Sequence, residues 1–309
     1  MKILYVLFLS VFVNVSCYSE KNDDKSIHYI NFENLKKNKI YVRVLVNDSI
    51  SGLFLLDNGS SNNTIDSTFF YQNFITENYK ISNPHNFWWE ECDGIFKFAI
   101  GLHTFSALHC SLRNLKTIHP DLNGILGIGA FKNKITFINF DSNKIAFADT
   151  AIIPADYYKI ILCSLPSKNN HQNNYQRFIS VDGFRNKQGE NIDGKFLFDL
   201  GASGGLSAKH NFINKIKFNG EPLEKVATGQ YMMIKEKFKS QTYIVDSLYL
   251  DGLILLKDVQ IHKSFSEKMH GFDPLTLLEV GDGLLGIKIL SQFNLIYDER
   301  NDILYLKSR

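Results

Sequence analysis

The chain has 309 residues, of which 44% are apolar and 13% aromatic, and its formal charge at pH 7 is +2. This composition is typical of a globular protein with one large or two medium domains. Because the net charge is small and no basic run stands out, the sequence lacks the electrostatic footprint of a nucleic-acid-binding protein. We therefore expect no nucleic-acid partner.

The first residues are typical of an exported protein. A charged start precedes an apolar run over 3–13, which has the length of a signal peptide and is short for a membrane span. The run ends at Asn14-Val15-Ser16-Cys17, which resembles a bacterial lipoprotein signal. We predict a signal peptide over 1–16, a lipid on Cys17 that anchors the protein to a membrane, and a flexible tether over 17–27. The expected location is the cell envelope, facing the periplasm or the outside, and plain secretion is the alternative.

Short strands fill the first half of the chain, which we assign to an N-terminal lobe over 28–152. The predicted elements are, in chain order, a strand at 40–46, a strand ending at Asp57, a short helix at 68–75, a hairpin at 96–112, an apolar segment at 123–129 and a closing hairpin at 135–147.

The second half repeats this order after an inter-lobe segment over 153–175, and we assign it to a C-terminal lobe over 176–309. Its predicted elements are a strand at 178–181, a polar loop at 183–194, a strand ending at Asp199, a possible helix at 206–216, a hairpin at 243–261, an apolar segment at 283–287 and a closing hairpin at 293–306. Strands dominate and strand–helix alternation is missing, so the predicted class is all-β, with two homologous lobes and a few short helices.

Two stretches at matched places in the two halves share one design. The first reads Leu53-Phe54-Leu55-Leu56-Asp57-Asn58-Gly59-Ser60-Ser61, and the second reads Phe196-Leu197-Phe198-Asp199-Leu200-Gly201-Ala202-Ser203. In each, an apolar run ends on a carboxylate, and a glycine two residues later permits a tight turn. One such aspartate is an ordinary turn residue, but two at matched places indicate a carboxylate pair.

This doubled order of elements resembles the pepsin-like and retropepsin-like aspartic proteases over roughly residues 29–309. The resemblance implies two lobes of the acid-protease barrel type with a cleft between them, and Asp57 and Asp199 as the catalytic residues. Gly127 and Gly286, each at the end of an apolar-apolar-glycine segment, would hold the catalytic loops. The family needs no metal or other cofactor, and its substrate is a peptide or an unfolded protein. We expect a monomer.

Two carboxylates a few ångströms apart cannot both ionise, so they share one proton, and one acts as base while the other acts as acid. The predicted supporting residues are Asn58, Gly59, Ser60, Leu200, Gly201 and Ala202. We expect Ser60 to hydrogen-bond Asp57 and to favour its charged form, whereas Ala202 offers Asp199 no equivalent.

One departure from the family concerns the residue after each aspartate. The family has Thr or Ser there, whose hydroxyl braces the two loops against each other, and this chain has Asn58 and Leu200. The amide of Asn58 can donate and accept hydrogen bonds, and the side chain of Leu200 cannot. The predicted function is therefore an aspartic endopeptidase, with a non-catalytic peptide-binding lipoprotein that keeps the fold as the alternative.

Aromatic and sulfur-containing residues of the first lobe suggest two further features. The aromatic run Phe87-Trp88-Trp89 is the candidate for a lid over the cleft, and ordinary core aromatics are the alternative. Cys92 and Cys110 bracket the hairpin, and in an exported protein they are candidates for a disulfide. Three buried thiols, with Cys163 as the third, are the alternative.

Two other motifs have weaker support. Residues 201–205 match the G-x-S-x-G nucleophile elbow, which needs a strand–turn–helix in a parallel α/β sheet. Residues 281–286 match G-x-G-x-x-G, which should open a strand–helix–strand unit. Neither context is predicted here. The nine histidines are scattered and show no metal-ligand spacing.

Overall fold

The computed structural model describes residues 27–34, 39–83, 89–166, 175–231, 234–266 and 280–309. Over these ranges the chain is mostly β and forms two closed six-stranded barrels. No helix within them reaches the length and apolarity that a membrane crossing needs. The predicted signal peptide and Cys17 lie outside the described residues.

The described residues of the first half form ten strands and one α-helix. They are β1 (Ile30–Asn31), β2 (Tyr41–Val46), β3 (Ile50–Leu56), β4 (Asn63–Asp66), α1 (Ser67–Asn73), β5 (Lys80–Ser82), β6 (Glu90–Ile100), β7 (His103–Arg113), β8 (Leu122–Leu126), β9 (Ile135–Asn139) and β10 (Lys144–Ala148). Short 3-10 turns lie at Thr76–Asn78 and Ile128–Ala130.

In the second half, the part of the chain that the structure describes forms eleven strands and two short α-helices. They are β11 (Tyr158–Ile161), β12 (Cys163–Pro166), β13 (Tyr175–Arg185), β14 (Asn191–Asp199), β15 (Leu206–Ala208), α2 (His210–Ile213), β16 (Leu223–Tyr231), β17 (Ile234–Leu250), β18 (Ile254–Ser266), β19 (Gly283–Gly286), α3 (Ile287–Leu290), β20 (Phe293–Asp298) and β21 (Ile303–Ser308).

The two barrels have the same strand order. In the first, the ring runs β2-β3-β8-β4-β7-β6 and closes where β6 pairs with β2. In the second, it runs β13-β14-β19-β15-β18-β17 and closes where β17 pairs with β13. The parallel pairs also correspond, since β3–β8 and β4–β7 match β14–β19 and β15–β18. The predicted repeat of two lobes is therefore confirmed at the level of topology.

A third sheet is shared by the two lobes, in the order β1-β10-β9-β20-β21-β11. The closing hairpin of each half contributes two strands, and β9 of the first half pairs antiparallel with β20 of the second. Residues 158–161, predicted as part of the inter-lobe segment, form the edge strand β11. The lobes are thus joined by backbone hydrogen bonds as well as by the chain between them.

Two predicted elements of the second half differ from the structure. The polar loop predicted at 183–194 is largely strand, because β13 and β14 continue through it to a turn at 186–190, with polar side chains on the solvent side. The helix predicted at 206–216 is present only over residues 210–213 as α2, and residues 206–208 form strand β15. Pairing of β15 between β18 and β19 overrides the local helical pattern there.

A buried ionic network joins the lobes beside the shared sheet. Arg177 donates from Nη2 to Glu299 Oε1 at 2.7 Å and from Nε to Asp302 Oδ1 at 2.8 Å. The other oxygen of Glu299 accepts the backbone N–H of Asn133 at 2.8 Å, and the N–H of Glu299 donates to the carbonyl of Lys134 at 3.2 Å. Glu299 therefore connects a turn of the first half to a strand of the second.

Removing the cation of this network should destabilise the fold. In Arg177→Met the buried Glu299 loses its charged partner, so we expect the free energy of unfolding to fall by about 3 to 5 kcal/mol. Urea denaturation measures this. Lys307→Met is the control, because its ion pair with Asp156 is exposed and should contribute little to stability. Equal losses in the two variants would show that the buried network adds no stability.

Candidate active site

Each aspartate of the doubled motif lies at the end of a buried strand. Phe54, Leu56, Phe196 and Phe198 of these strands are fully buried. Burial of each such side chain stabilises the fold by about 1.5 to 3 kcal/mol, which holds the strands in the core. Beyond these side chains, Asp57 donates its backbone N–H to the carbonyl of Leu126 in β8 at 2.9 Å. Asp199, the last residue of β14, pairs with Gly286 of β19. Both aspartates are therefore held by a parallel neighbouring strand.

The loop that follows each aspartate is tied to the residue after the glycine of that neighbouring strand. Ile128 donates its N–H to the carbonyl of Ser60, and Ile287 donates to the carbonyl of Ala202, each at 2.9 Å. A Cβ on Gly127 would lie 2.7 Å from the Ser60 oxygen, and one on Gly286 would lie 2.8 Å from the Ala202 oxygen. Only glycine, which has no Cβ, permits the two backbones to approach so closely. In this way Gly127 and Gly286 hold the two loops, as the sequence predicts.

The two loops cross, so that each carboxyl group packs against the glycine of the other loop. A Cβ on Gly59 would lie 2.6 Å from Cγ of Asp199, and a Cβ on Gly201 would overlap the carboxyl group of Asp57. The two carboxyl groups lie within hydrogen-bonding reach of each other. We call Asp57 and Asp199 the aspartate pair. A hydrogen bond between two carboxyl groups requires one of them to carry the proton.

Burial raises the pKa of both carboxyl groups above the ordinary range of aspartate. For Asp199, the adjacent charge of Asp57 adds to the effect of burial and raises the pKa to about 8. For Asp57, burial raises the pKa, and four interactions lower it in part. They are the positive charge of Lys39, the N–H groups of Ser60 and Gly59, and the contact with Asp199. Two carboxyl groups this close share one proton, and their titration belongs to the pair rather than to either residue.

Backbone N–H groups, rather than the Ser60 hydroxyl, contact the pair. Ser60 donates its N–H to Oδ1 of Asp57 at 3.0 Å, while its hydroxyl donates to the carbonyl of Asn62. Gly201 and Ala202 donate their N–H groups to Oδ1 of Asp199 at 2.8 and 2.9 Å. The expectation that Ala202 offers no equivalent of Ser60 is therefore wrong, because the contact in both loops comes from the main chain.

Asn58 braces the two loops against each other. Its Nδ2 donates to the carbonyl of Phe198 at 2.8 Å, and its Oδ1 accepts the N–H of Leu200 at 2.7 Å. One buried amide therefore holds the backbone on both sides of Asp199. Leu200 takes part through its backbone only, and its side chain is fully buried in the main core.

Asn58→Ala should destabilise the protein, because it leaves the buried carbonyl of Phe198 and the buried N–H of Leu200 without partners. We expect a loss of about 2 kcal/mol or more in the free energy of unfolding, measured by urea denaturation. Asn58→Thr is the matched variant, because one hydroxyl can donate to the carbonyl and accept the N–H. Its loss should be clearly smaller. Equal losses in the two variants would show that these hydrogen bonds do not brace the loops.

Gly201→Ala should also be disruptive, because its new methyl group would occupy the space of the Asp57 carboxyl group. We expect a loss of about 1 to 3 kcal/mol in unfolding free energy as the loop shifts. Gly129→Ala is the control, because a Cβ there would meet nothing within 4 Å. A Gly201→Ala protein as stable as Gly129→Ala would contradict the crossed packing.

The predicted lid is described only in part. Phe87 and Trp88 lie outside the described residues, in the connection between β5 and β6. Trp89 donates its Nε1 to Glu91 Oε1 at 2.6 Å, and the guanidinium group of Arg113 lies 5.0 Å from the centre of its ring. Trp89 is therefore fixed at the base of the β5–β6 hairpin, and a lid remains a prediction.

Cys92 and Cys110 lie directly opposite each other in β6 and β7, and both are buried. Their sulfur atoms are not bonded in this structure, and the partly buried Cys163 is also a free thiol. The predicted disulfide is therefore not formed here, although the predicted proximity of the two cysteines is present. Burial raises the pKa of the Cys92 thiol to about 12, which disfavours the reactive thiolate.

The two weaker motifs and those histidines that the structure describes form no second centre. The fold is not a parallel α/β sheet, and residues 283–286 of the G-x-G-x-x-G match are strand β19. Among the described residues, no group of three or more His, Cys, Asp or Glu side chains is placed to hold a metal ion. A cavity of about 500 Å³ lies in the second lobe beside Phe184, Phe218 and Tyr249, and neither aspartate lines it. The cleft predicted between the lobes remains a prediction.

Comparison of the chain with protein-family models and with curated proteins returned no match. The case for a function therefore depends on the geometry of the aspartate pair. Sequence reasoning missed one residue near that pair, Lys39. The available signal was its position just before the strand that pairs with β3.

Proposed function

We propose that the protein is an endopeptidase of the aspartic type, similar in architecture to the pepsin-like and retropepsin-like proteases. The observation that carries the proposal is the crossed arrangement of the two loops, in which each carboxyl group packs against the glycine of the opposite loop and lies within reach of the other carboxyl group. Matched barrels that each supply one aspartate add support. The substrate would be a peptide or an unfolded protein, and a lipid on Cys17 would keep the enzyme at a membrane.

The chemistry needs a base, an acid and one water molecule. Ionised Asp57 accepts a proton from water as the oxygen attacks the peptide carbonyl carbon, and Asp199 donates its proton to the carbonyl oxygen. The product of this step is a tetrahedral diol, and the pair has exchanged roles while holding the same number of protons. Proton transfer to the amide nitrogen and cleavage of the C–N bond then release the two products and restore the pair.

A peptide-binding protein without catalysis is the second candidate, and the observation that favours it is Leu200. The side chain of Asn58 makes two hydrogen bonds to the backbone of the second lobe. The apolar side chain of Leu200 makes no hydrogen bond to the first lobe. The brace is therefore one-sided. Loss of precise placement can cost large factors in rate even where the reacting groups are present.

Cleavage of a peptide library decides between these functions. We expect Asp57→Asn and Asp199→Asn each to lower the rate at least about 100-fold while remaining folded, because each removes the base or the acid. Asp251→Asn is the control, since Asp251 also precedes a glycine but lies in a hairpin turn. Undiminished cleavage in either variant of the pair would refute the proposal. A wild type that binds peptides and cleaves none would support the binding protein.

The rate of the wild type should depend on pH in a bell shape. It should fall at low pH as Asp57 takes up a proton, and at high pH as Asp199 loses its proton, whose pKa is raised to about 8. The raised pKa also means that the folded protein keeps a proton which the unfolded chain has already lost, so stability falls as pH rises from the ordinary aspartate pKa of 3.8 to about 8 and is lowest above that value. Asp199→Asn should therefore melt at a higher temperature than the wild type at alkaline pH, but not at acidic pH. Equal melting temperatures at alkaline pH would contradict the raised pKa.

A further inference from the structure

Lys39 stands next to the strand pair that leads to Asp57. β2 pairs antiparallel with β3, with Tyr41 opposite Leu55, and Leu56 donates its N–H to the carbonyl of Ile40 at 3.0 Å. Continuing this register by one residue places Lys39 opposite Asp57. Residues directly opposite each other in an antiparallel pair have Cβ atoms about 4.5 to 5.5 Å apart.

The faces of the two strands agree with this placement. Ile40 and Leu56 are fully buried in the main core. Tyr41 and Leu55 belong to a separate apolar cluster on the other face. Because side chains alternate along a strand, Lys39 projects with Tyr41, on the face that carries Asp57. The residue as a whole is only partly buried.

The charge of Lys39 acts on both members of the aspartate pair. It lowers the pKa of Asp57 and that of Asp199, against the effect of burial. The side chains that follow the two aspartates, at positions 58–60 and 200–202, carry no ionisable group.

Other titratable groups surround the same face farther from the pair. The His119 ring packs on Tyr41 with 5.8 Å between ring centres. Burial raises the pKa of Tyr41, so that it stays neutral over the working range. Lys116 donates to the carbonyl of Leu122 and lies 3.9 Å from the buried carboxylate of Asp66.

We propose that Lys39 is a positioning residue of the aspartate pair, whose ammonium group keeps one carboxyl group ionised in acidic solution. The inference rests on the function proposed for the same site. Without this cation, burial would keep both carboxyl groups protonated up to a higher pH. The pair would then lack a base for water over more of the acid range. A cation opposite Asp57 favours the singly charged pair and extends the acid side of the activity profile.

Carbon-13 NMR of aspartate-labelled full-length protein tests this without requiring activity. The carboxyl resonances are assigned with Asp57→Asn and Asp199→Asn and are then followed over pH. In Lys39→Met both titration steps of the pair should move to higher pH, by about one pH unit. Lys39→Arg keeps the charge and should titrate as the wild type does. Lys39→Gln is a second neutral variant in case Lys39→Met does not fold.

Cleavage rates measured on the same variants give the second readout. If the wild type is active, both limbs of its pH profile should move to higher pH in Lys39→Met and stay in place in Lys39→Arg. A folded Lys39→Met or Lys39→Gln protein with an unchanged carboxyl titration would overturn the inference and leave the proposed protease intact. Shifted titrations in a protein that cleaves no peptide would support the role of Lys39 while the proposed function fails.

Discussion

The arrangement around the aspartate pair is governed by the cost of holding two acidic carboxyl groups close together. Two full charges 4 Å apart repel by about 4 kcal/mol at an effective dielectric constant of 20, and burial adds to that cost. A shared proton removes the repulsion, and backbone N–H groups donate to one oxygen of each carboxyl group. The two loops and the strands beside them restrain carboxyl groups that would otherwise separate into water.

The restraint is unequal for the two aspartates. Asp57 is held by its own loop and by β8. The backbone on both sides of Asp199 depends in addition on Asn58, a side chain of the opposite lobe. Leu200, which occupies the equivalent place in the second loop, adds apolar burial instead of hydrogen bonds. The orientation of the second carboxyl group is therefore controlled by the first lobe, and the reverse control is weaker.

The lobes and the aspartate pair could be predicted because their signals are local and occur twice. An apolar run ending in Asp-x-Gly marks a buried strand and a tight turn wherever it occurs. The brace by Asn58 was harder, since hydrogen-bonding capacity can be read from a residue but its partners, 140 and 142 residues away, cannot. Residues 206–208 were misread as the start of a helix because the pairing of β15 depends on distant strands. Lys39 was missed because its relation to Asp57 appears only once the register of β2 and β3 is known.

The sheet shared by the lobes also determines when the fold can be completed during synthesis. β9 is made early, but its partner β20 belongs to the last part of the described chain, and the hydrogen bond from Phe140 to Asn294 spans 154 residues. Until β20 emerges from the ribosome, β9 presents an unpaired edge, which is the kind of surface that recruits other strands. The nascent first lobe is therefore open to pairing with a second copy of itself, and chaperone protection during translation would matter most in that interval.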